Sequence, residues 1–372
     1  MVEFFLNNKK VVAKDDETIW SVAKREGITL PHLCFADKPG YRADGNCRAC
    51  MVSIEGERVL AASCIRKPTE GMKVLTNDER SIKSRKMVLE LLVTDQPDRD
   101  TSHDPDSHFW KIASDIDVEK SRFEKREKKI VPCEDSSHVA MSVNLDACIH
   151  CNLCVRACRE VQVNDVIGMG NRGHHSKVVF DFNDPMGDSS CVSCGECVQA
   201  CPTGALMESN LLDDNGTKNA KPERKVDSLC PYCGVGCQLT YNIQNEKIIS
   251  VDGRDGPANK NRLCVKGRFG FDYIHNPERL TVPLIRKSDK PKDPLEKIDP
   301  LNPLTHFREA SWDEALNLAA SKLKEILNSS GDKSLAGFGC AKGSNEEAYL
   351  FQKLIRTGSV SYTHLRAHET DY

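Results

Sequence analysis

The 372-residue sequence lacks three features: a long hydrophobic run, an excess of basic residues and a leader pattern at its start. No segment approaches the roughly 20 consecutive apolar residues that a membrane-spanning helix needs, so we expect no membrane insertion. Residues 1–5 contain no basic stretch before an apolar core, which predicts an unexported, cytoplasmic protein. A net charge of −3 and a hydrophobic fraction of 39% argue against a disordered chain and against a strongly basic nucleic-acid-binding chain.

Cysteine, in contrast, is abundant, with 18 residues. In a long cytosolic chain this number predicts metal or redox sites rather than disulfides. Sixteen of the cysteines fall into sets by their spacing. The remaining two, Cys133 in a polar segment and Cys340 after Gly339, have no partner by spacing and are interpreted as ordinary thiols.

The N-terminal set consists of Cys34, Cys47, Cys50 and Cys64. A close Cys-x2-Cys pair flanked by two distant single cysteines favours a 2Fe-2S cluster. A four-cysteine zinc site is the alternative, although zinc sites more often combine two short-spaced pairs.

The residues around this set predict a ferredoxin-like host. Val2, Phe4 and Leu6 alternate as in a strand, and Asn7-Asn8 can turn the chain back. A short helix is expected to follow and to end at Gly27. Residues 51–54 and 58–60 are expected to pair as a later hairpin.

Two consecutive runs of the form Cys-x2-Cys-x2-Cys-x3-Cys are the strongest signal. In this arrangement three cysteines on a tight loop hold one 4Fe-4S cluster and the fourth binds the neighbouring cluster. A coincidental run of buried or zinc-binding cysteines is the alternative. Pro202 follows the second run, whereas Arg159 stands at that place in the first. The first crossed set is Cys148, Cys151, Cys154 and Cys201; the second crossed set is Cys191, Cys194, Cys197 and Cys158.

The C-terminal set comprises Cys230, Cys233, Cys237 and, after 26 residues, Cys264. Glycines between these cysteines give a loop the backbone freedom to fold closely around a cluster. Four thiolates favour a third 4Fe-4S cluster, with zinc again as the alternative.

The segment between the N-terminal set and the ferredoxin runs is interpreted as a spacer. Residues 119–129 carry mixed charges, which are typical of a solvated helix face rather than of a nucleic-acid contact. His103, His108 and His138 have no nearby trio of cysteines to complete a site, so we interpret them as surface or loop residues.

From about residue 310 the pattern becomes α/β. Ser311-x-x-Glu314 predicts a helix start, and residues 335–338 predict a buried strand. A glycine-bearing loop at 339–343 leads to Ser344, which starts another helix. A strand, such a loop and a helix N-terminus can cradle phosphates, which would suit a nucleotide-like cofactor.

With these sets in place, the chain resembles the N-terminal half of the catalytic subunit of NAD-dependent molybdenum or tungsten formate dehydrogenases, which are molybdopterin oxidoreductases. The resemblance implies oxidation of formate to carbon dioxide at a bis-molybdopterin guanine dinucleotide centre. It also implies electron transfer through one 2Fe-2S and three 4Fe-4S clusters towards a flavin- and NAD-binding iron–sulfur subunit. Lys266 would lie between the last cluster and the pterin. The motifs that carry the resemblance are the N-terminal set and residues 146–161, 230–237, 263–268 and 345–349.

The same N-terminal layout is similar to the large iron–sulfur subunit of complex I and to some iron-only hydrogenases. Those proteins usually carry a further cluster bound by one histidine and three cysteines, and this chain lacks such cysteines after His103. The sequence is also compatible with a stand-alone electron carrier or a zinc-stabilised interaction protein. An α/β segment after residue 310 argues against a pure carrier.

The expected fold class is α+β with several domains. A β-grasp 2Fe-2S ferredoxin domain is predicted for residues 1–78, and a helical linker with a degenerate histidine–cysteine cluster region for 79–138. A bacterial-type double 4Fe-4S ferredoxin is predicted for 139–210, a 4Fe-4S molybdopterin-oxidoreductase N-terminal domain for 223–279, and the truncated start of an α/β pterin-binding domain for 280–358. Residues 359–372 have no apolar period and are expected to be a non-native tail. The family's metal-ligating residue is expected soon after residue 358, so we expect no complete active site in this chain.

Overall fold

The structure, a computed structural model, describes residues 1–125, 134–340 and 342–358. Internal contacts divide the chain into two units. The first unit contains residues 1–229 and 237–269, and the second contains residues 230–236 and those from 270 onward. In the described ranges, no helix combines the length and the apolar character needed to cross a bilayer.

The first unit begins with a five-stranded sheet and a helix. Their bounds are β1 (Val2–Leu6), β2 (Lys9–Ala13), α1 (Ile19–Arg25), β3 (Met51–Ile54), β4 (Ala61–Ala62) and β5 (Lys73–Leu75). The strand order is β2-β1-β5-β3-β4, with β1 antiparallel to β2 and parallel to β5. Asn7 and Asn8 form the predicted turn with left-handed φ angles of 49° and 66°, a conformation that asparagine tolerates well. Apolar side chains of β1, β2, β3, β5 and α1 share one core.

Local signals around α1 agree with the structure, whereas the predicted hairpin is partly wrong. Thr18 and Ser21 cap α1 reciprocally, and Gly27 lies just past the helix end with a φ of +78°. Strand β3 pairs with β4 rather than with residues 58–60. Val59 is 57% exposed, and residues 58–60 belong to the connection between β3 and β4 rather than to a strand.

The predicted spacer is packed rather than solvated in its first part. It forms two helices, α2 (Glu79–Thr94) and α3 (His108–Asp115). Phe109 and Trp110 are buried in α3, and large aromatic side chains gain the most from leaving water. Residues 119–125 are not helical, so the solvated helix face is wrong for the described part of the charged run. The core of this layer includes Leu33, Ala49, Leu89, Val93, Phe109, Trp110 and Ile112.

The ferredoxin-like part contains two similar halves. Its elements are β6 (Met141–Val143), α4 (Leu153–Arg156), β7 (Ile167–Gly170), β8 (Lys177–Phe180), α5 (Glu196–Ala200) and β9 (Leu206–Glu208). Strand β6 pairs with β9, and β7 pairs with β8, both antiparallel. A short helix follows the cysteine loop in each half, and both loops pack on one shared core.

The first unit ends with an antiparallel three-stranded sheet in the order β10-β11-β12. Asn245 and Glu246 have left-handed φ angles of 50° and 58°, as a two-residue hairpin turn requires. The elements are β10 (Arg224–Leu229), β11 (Gln238–Gln244), β12 (Lys247–Gly253) and the helix α6 (Val265–Phe269).

The second unit contains an antiparallel pair of strands and two helices. These are β13 (Leu284–Arg286), β14 (Phe307–Glu309), α7 (Trp312–Ser330) and α8 (Asn345–Lys353). The Ser311 hydroxyl accepts a hydrogen bond from the Glu314 amide at the start of α7, as predicted. Ser344 and Glu347 form a complete capping box at the start of α8. The local helix signals are therefore confirmed.

The α/β arrangement predicted for this segment is not formed in the described residues. Residues 335–338 are not a strand, and Phe338 is 93% exposed. A strand needs a neighbour to satisfy its backbone groups, and no strand in the described ranges pairs with this segment. Helices α7 and α8 bury none of their described side chains.

Candidate iron–sulfur centres

The N-terminal set is gathered in one place. Cys47 and Cys50 lie just before β3, and Cys64 lies just after β4. The thiol of Cys34 forms hydrogen bonds with those of Cys47 and Cys64, and Cys64 also contacts Cys50. Cys34, Cys50 and Cys64 are buried. The structure therefore brings all four predicted ligands together, while their binding of iron stays a prediction.

Hydrogen-bond donors favour the ionised form of Cys34. The thiols of Cys47 and Cys64 are the main reasons why the pKa of Cys34 is lowered, and the backbone amides of Cys47 and Asn46 lower it further. The Cys47 amide nitrogen lies 3.4 Å from the Cys34 sulfur. The thiolate is the form of cysteine that binds metal. These hydrogen bonds favour it at Cys34 and Cys50 and disfavour it at Cys47 and Cys64, where they raise the pKa of the thiol.

In the ferredoxin-like part, Cys158 lies with the second repeat. A cavity is lined by all four cysteines of the second crossed set, together with apolar residues such as Val166 and Ile167. The Val166 amide donates to the Cys158 sulfur at 3.3 Å. Burial raises the pKa of the Cys197 thiol, and the sulfurs of the other three members raise it further.

Cys201 correspondingly lies with the first repeat. Burial raises the pKa of the Cys151 thiol, and Cys201 is the nearby sulfur that raises it most. Burial raises the pKa of the Cys154 thiol, and the sulfurs of Cys151, Cys148 and Cys201 raise it further. The grouping is the crossed arrangement expected from the sequence.

The second crossed set lies around one cavity. Within residues 1–125, 134–340 and 342–358, no three or more histidine, cysteine, aspartate or glutamate side chains form a group that could hold a metal ion. A zinc ion needs four ligands at about 2.3 Å from one point, whereas a 4Fe-4S cluster fills the space between its four cysteines. The cysteines of this set line one cavity, which is the placement that shared ligation of a cluster needs, and their binding of iron stays a prediction.

The two cysteine loops repeat the same backbone conformation. His150 and Asn152 in the first loop, and Ser193 and Gly195 at the same places in the second, have left-handed φ angles between 53° and 68°. The amides of His150 and Ser193 each lie 3.4 Å from the sulfur of the first cysteine in their own loop. The twofold sequence repeat therefore folds as a structural repeat.

Gly195 is required by its surroundings as well as by its φ angle. A Cβ atom at this position would lie 2.9 Å from Cγ of Arg268, whose side chain is buried. The Arg268 guanidinium donates to the Cys194 carbonyl at 3.3 Å and pairs with Glu196 at 3.4 Å. The Tyr41 hydroxyl donates to the other carboxylate oxygen of Glu196 at 2.8 Å. This chain of contacts joins residues from three parts of the first unit.

The C-terminal set is divided between the two units. Cys237, just before β11, and Cys264, just before α6, belong to the first unit, whereas Cys230 and Cys233 belong to the second. Lys266 is exposed on α6. The joint ligation of one cluster by these four cysteines stays a prediction.

The histidines have ordinary polar partners. His103 Nδ1 lies 2.6 Å from the Gly216 carbonyl, and His108 Nε2 lies 3.1 Å from the His32 carbonyl. His138 Nε2 lies 2.8 Å from the Ser193 hydroxyl, beside the second cysteine loop. Cys340 is exposed, and Cys133 lies outside the described residues.

A polar cavity of about 530 Å³ adjoins Cys201 in the first unit. Glu208 on β9 lines it and is 7% exposed, and its Oε2 atom has no hydrogen-bond partner among the described residues. Burial raises the pKa of Glu208 to about 7, against a smaller lowering by Arg268. Burial also lowers the pKa of Lys38, another lining residue.

The buried charged residues beside the cysteine loops were not among the residues predicted from the sequence. Arg156 and Arg268 are 3% and 1% exposed, and Glu196 is 1% exposed. Their signal is positional: Arg156 and Glu196 lie within two residues of cysteines in the ferredoxin runs. This position alone does not mark a residue as interior, because Arg159 lies directly after the buried Cys158 and is 55% exposed.

Four family models match the chain. The 2Fe-2S iron-sulfur cluster binding domain matches residues 1–79, and the 4Fe-4S dicluster domain matches residues 147–205. The Molybdopterin oxidoreductase Fe4S4 domain matches residues 223–276, and Molybdopterin oxidoreductase matches residues 279–372.

Three curated relatives are each 30% identical to the chain. They are "Probable oxidoreductase YjgC" of Bacillus subtilis, "Putative formate dehydrogenase SH0748" of Staphylococcus haemolyticus and "NADPH-Fe(3+) oxidoreductase subunit alpha" of Geobacter sulfurreducens. The matches cover 94%, 90% and 96% of this chain, and 37%, 36% and 39% of the respective relatives. The chain thus spans little more than a third of their length. A solved structure of an NAD+-reducing nickel–iron hydrogenase aligns with a TM-score of 0.49 and 24% identity, covering 56% of this chain and 87% of that one.

Proposed function

Because this chain carries 2Fe-2S, 4Fe-4S and molybdopterin oxidoreductase domains, we propose that it is the iron–sulfur electron-transfer part of a formate dehydrogenase catalytic subunit. In this proposal the N-terminal set holds a 2Fe-2S cluster, and the two crossed sets and the C-terminal set each hold a 4Fe-4S cluster. The proposed modules are a β-grasp ferredoxin at 1–78, a helical linker at 79–138, a double ferredoxin at 139–210, a 4Fe-4S domain at 223–279 and the start of a pterin-binding domain at 280–358.

One observation carries the proposal: three cysteine sets lie next to one another in the first unit, with the first crossed set between the other two. The Cys34 sulfur of the N-terminal set is close enough to raise the pKa of Cys151 in the first crossed set. Cys197 of the second crossed set acts in the same way on Cys154 of the first. Electrons can pass along such a series only if each site adjoins the next.

The chain's own residues prepare these sites for redox chemistry. When bound, each cluster supplies one-electron transfer. Backbone amides donate to the sulfurs of Cys34, Cys148, Cys158 and Cys191, which stabilises negative charge on the ligands. Cys154 and Cys197 are buried, which limits the access of water to the first and second crossed sets. Hydrogen bonding and solvent exclusion are the means by which a protein tunes a cluster's potential.

Carboxylates occupy the start of α8, where the sequence analysis expected a phosphate cradle. The Glu347 carboxylate accepts the Ser344 amide at 2.6 Å, and Glu346 adds a second negative charge at the same helix end. The Glu347 carboxylate occupies a backbone amide that a phosphate would bind, and both negative charges repel a phosphate. We propose the molybdenum or tungsten bis-pterin centre for a protein that spans the full length of the curated relatives, called the longer protein below, with Lys266 facing it from α6.

For the longer protein we propose formate as substrate, NAD as the final acceptor and a flavin- and NAD-binding iron–sulfur subunit as the cytoplasmic partner. The name of the Staphylococcus haemolyticus relative supports formate. The Geobacter sulfurreducens relative is equally similar and is named as an NADPH-Fe(3+) oxidoreductase subunit. A second candidate is therefore an electron-transfer subunit that receives electrons from NADPH.

One experiment tests the relay. The anaerobically prepared chain is reduced with substoichiometric dithionite and frozen at increasing times for electron spin resonance. We expect an added electron to redistribute between the 2Fe-2S and 4Fe-4S signals within the sampling time. Signals that never exchange electrons would contradict a relay.

A second experiment separates the two candidates. A protein that spans the full length of the curated relatives is prepared with its co-purifying subunits. Reduction of its clusters by formate in the absence of nicotinamide supports the first proposal. Reduction by NADPH without any response to formate supports the second and contradicts the first.

A further inference from the structure

Two side chains occupy equivalent positions in the two ferredoxin repeats. Arg156 follows the third cysteine of the first repeat by two residues, and Gln199 follows that of the second by two. Gln199 Oε1 accepts from the Gly253 amide at 2.9 Å and from Arg268 at 2.5 Å, so it contacts the segments around β12 and α6. Arg156 instead contacts the part of the chain that contains the N-terminal set.

Arg156 contacts the main chain of a predicted ligand in each of two sets. Its Nη2 donates to the Cys34 carbonyl at 2.6 Å and to the Cys151 carbonyl at 3.3 Å. Its Nη1 donates to the Arg42 carbonyl, and its Nε lies 3.2 Å from the Asp44 carboxylate. One guanidinium therefore joins the loop between Cys34 and Cys47 to the first ferredoxin loop.

The burial of this side chain requires these contacts. Arg156 is 3% exposed, and Asp44, 16% exposed at its side chain, is the carboxylate paired with it. A buried guanidinium is tolerated only when its donors are satisfied, and its planar fork can serve several acceptors at once. Arg42 and Glu160 also pair between the N-terminal part and the ferredoxin-like part, with their charged atoms 3.0 Å apart. Because Arg42 is 63% exposed, this pair contributes little stability.

We propose that Arg156 is a positioning residue that sets the separation and orientation of the N-terminal set and the first crossed set. The inference rests on the proposed relay. Electron transfer between these two sets depends on the separation that Arg156 maintains. One-electron transfer slows steeply as two centres move apart, so a loop held at the Cys34 carbonyl keeps this step fast.

The test uses Arg156→Gln in the full chain, with Arg159→Gln as the matched control. Arg159 lies three residues further along, is 55% exposed and pairs with the exposed Asp165. Both variants are prepared anaerobically, and their iron content and fully reduced spin-resonance spectra are compared with the wild type. We expect Arg156→Gln to keep its iron and to lose the magnetic splitting between the reduced 2Fe-2S cluster and its 4Fe-4S neighbour. Unchanged splitting in a variant with full iron would overturn the proposal.

A second variant and a second measurement cover loss of folding and loss of clusters. Arg156→Lys keeps the charge beside Asp44 but lacks the planar fork, so it is expected to fold and to show reduced splitting. Hydrogen exchange of residues 35–46 is then measured for all variants. Exchange should be faster in both Arg156 variants and unchanged in Arg159→Gln; equal exchange in every variant would overturn the positioning role. If the wild type bound no clusters, the proposed relay would fail, while the exchange result would still decide the role of Arg156.

Discussion

Removing the charge of Glu196 should destabilise the first unit more than the loss of any exposed ion pair would. The side chains of Glu196 and Arg268 are 1% and 0% exposed, and their charged atoms are 3.4 Å apart. Breaking such a pair from one side leaves an uncompensated buried charge, which typically costs about 3–5 kcal/mol. Arg268 would still donate to the carbonyls of Cys194 and Val251 and to Gln199. We therefore expect Glu196→Gln to cost about 3 kcal/mol, at the lower end of that range.

Thermal unfolding of the anaerobic protein, followed by circular dichroism, measures this cost. In a unit of this size about 3 kcal/mol corresponds to a fall in Tm of roughly 6–12 °C. Asp227→Asn is the control, because it breaks the exposed 3.5 Å pair with Arg254 and should cost less than about 1 kcal/mol. A Glu196→Gln protein that unfolds at the temperature of this control would refute the account of the buried pair.

Three further predictions follow from the sites. Cys158→Ser should abolish the cluster signal of the second crossed set and spare that of the first; loss confined to the first set would show that the crossed grouping is wrong. Because the pKa of Glu208 rises from 4.5 to about 7 on folding, the folded state keeps a proton that the unfolded state releases, and stability falls between about pH 4.5 and 7. Glu208→Gln should remove this fall and gain up to roughly 3 kcal/mol above that range; Tm values measured across pH 5–8 with equal slopes for both proteins would contradict it. The 372-residue chain should accept electrons from dithionite without oxidising formate, because α7 and α8 bury none of their described side chains to form a water-excluding pocket; dye-linked formate turnover would contradict this.

Features that depend on a few neighbouring residues could be predicted from the sequence. The turn at Asn7 and Asn8, the helix starts at Ser311 and Ser344 and the glycine after α1 depend on side chains within four positions. The crossed grouping of cysteines could also be predicted, because a repeated spacing constrains how two loops meet.

Features that depend on distant partners could not be predicted. Residues 335–338 have the composition of a buried strand, but in the described structure no strand pairs with them. Phe109 and Trp110 looked like part of a spacer because their partners, Leu33 and Ala49, are far away in sequence. Arg156 is a surface residue by type and becomes an interior one only because carbonyls from two modules surround it.

Metal content and spin resonance of the anaerobically prepared chain test the central claim most directly. One 2Fe-2S and three 4Fe-4S clusters correspond to about fourteen irons per chain. We expect this iron content in the wild type and, in Cys47→Ser, loss of the 2Fe-2S signal alone. Stoichiometric zinc with little iron would contradict the electron-transfer function and support a zinc-stabilised protein instead.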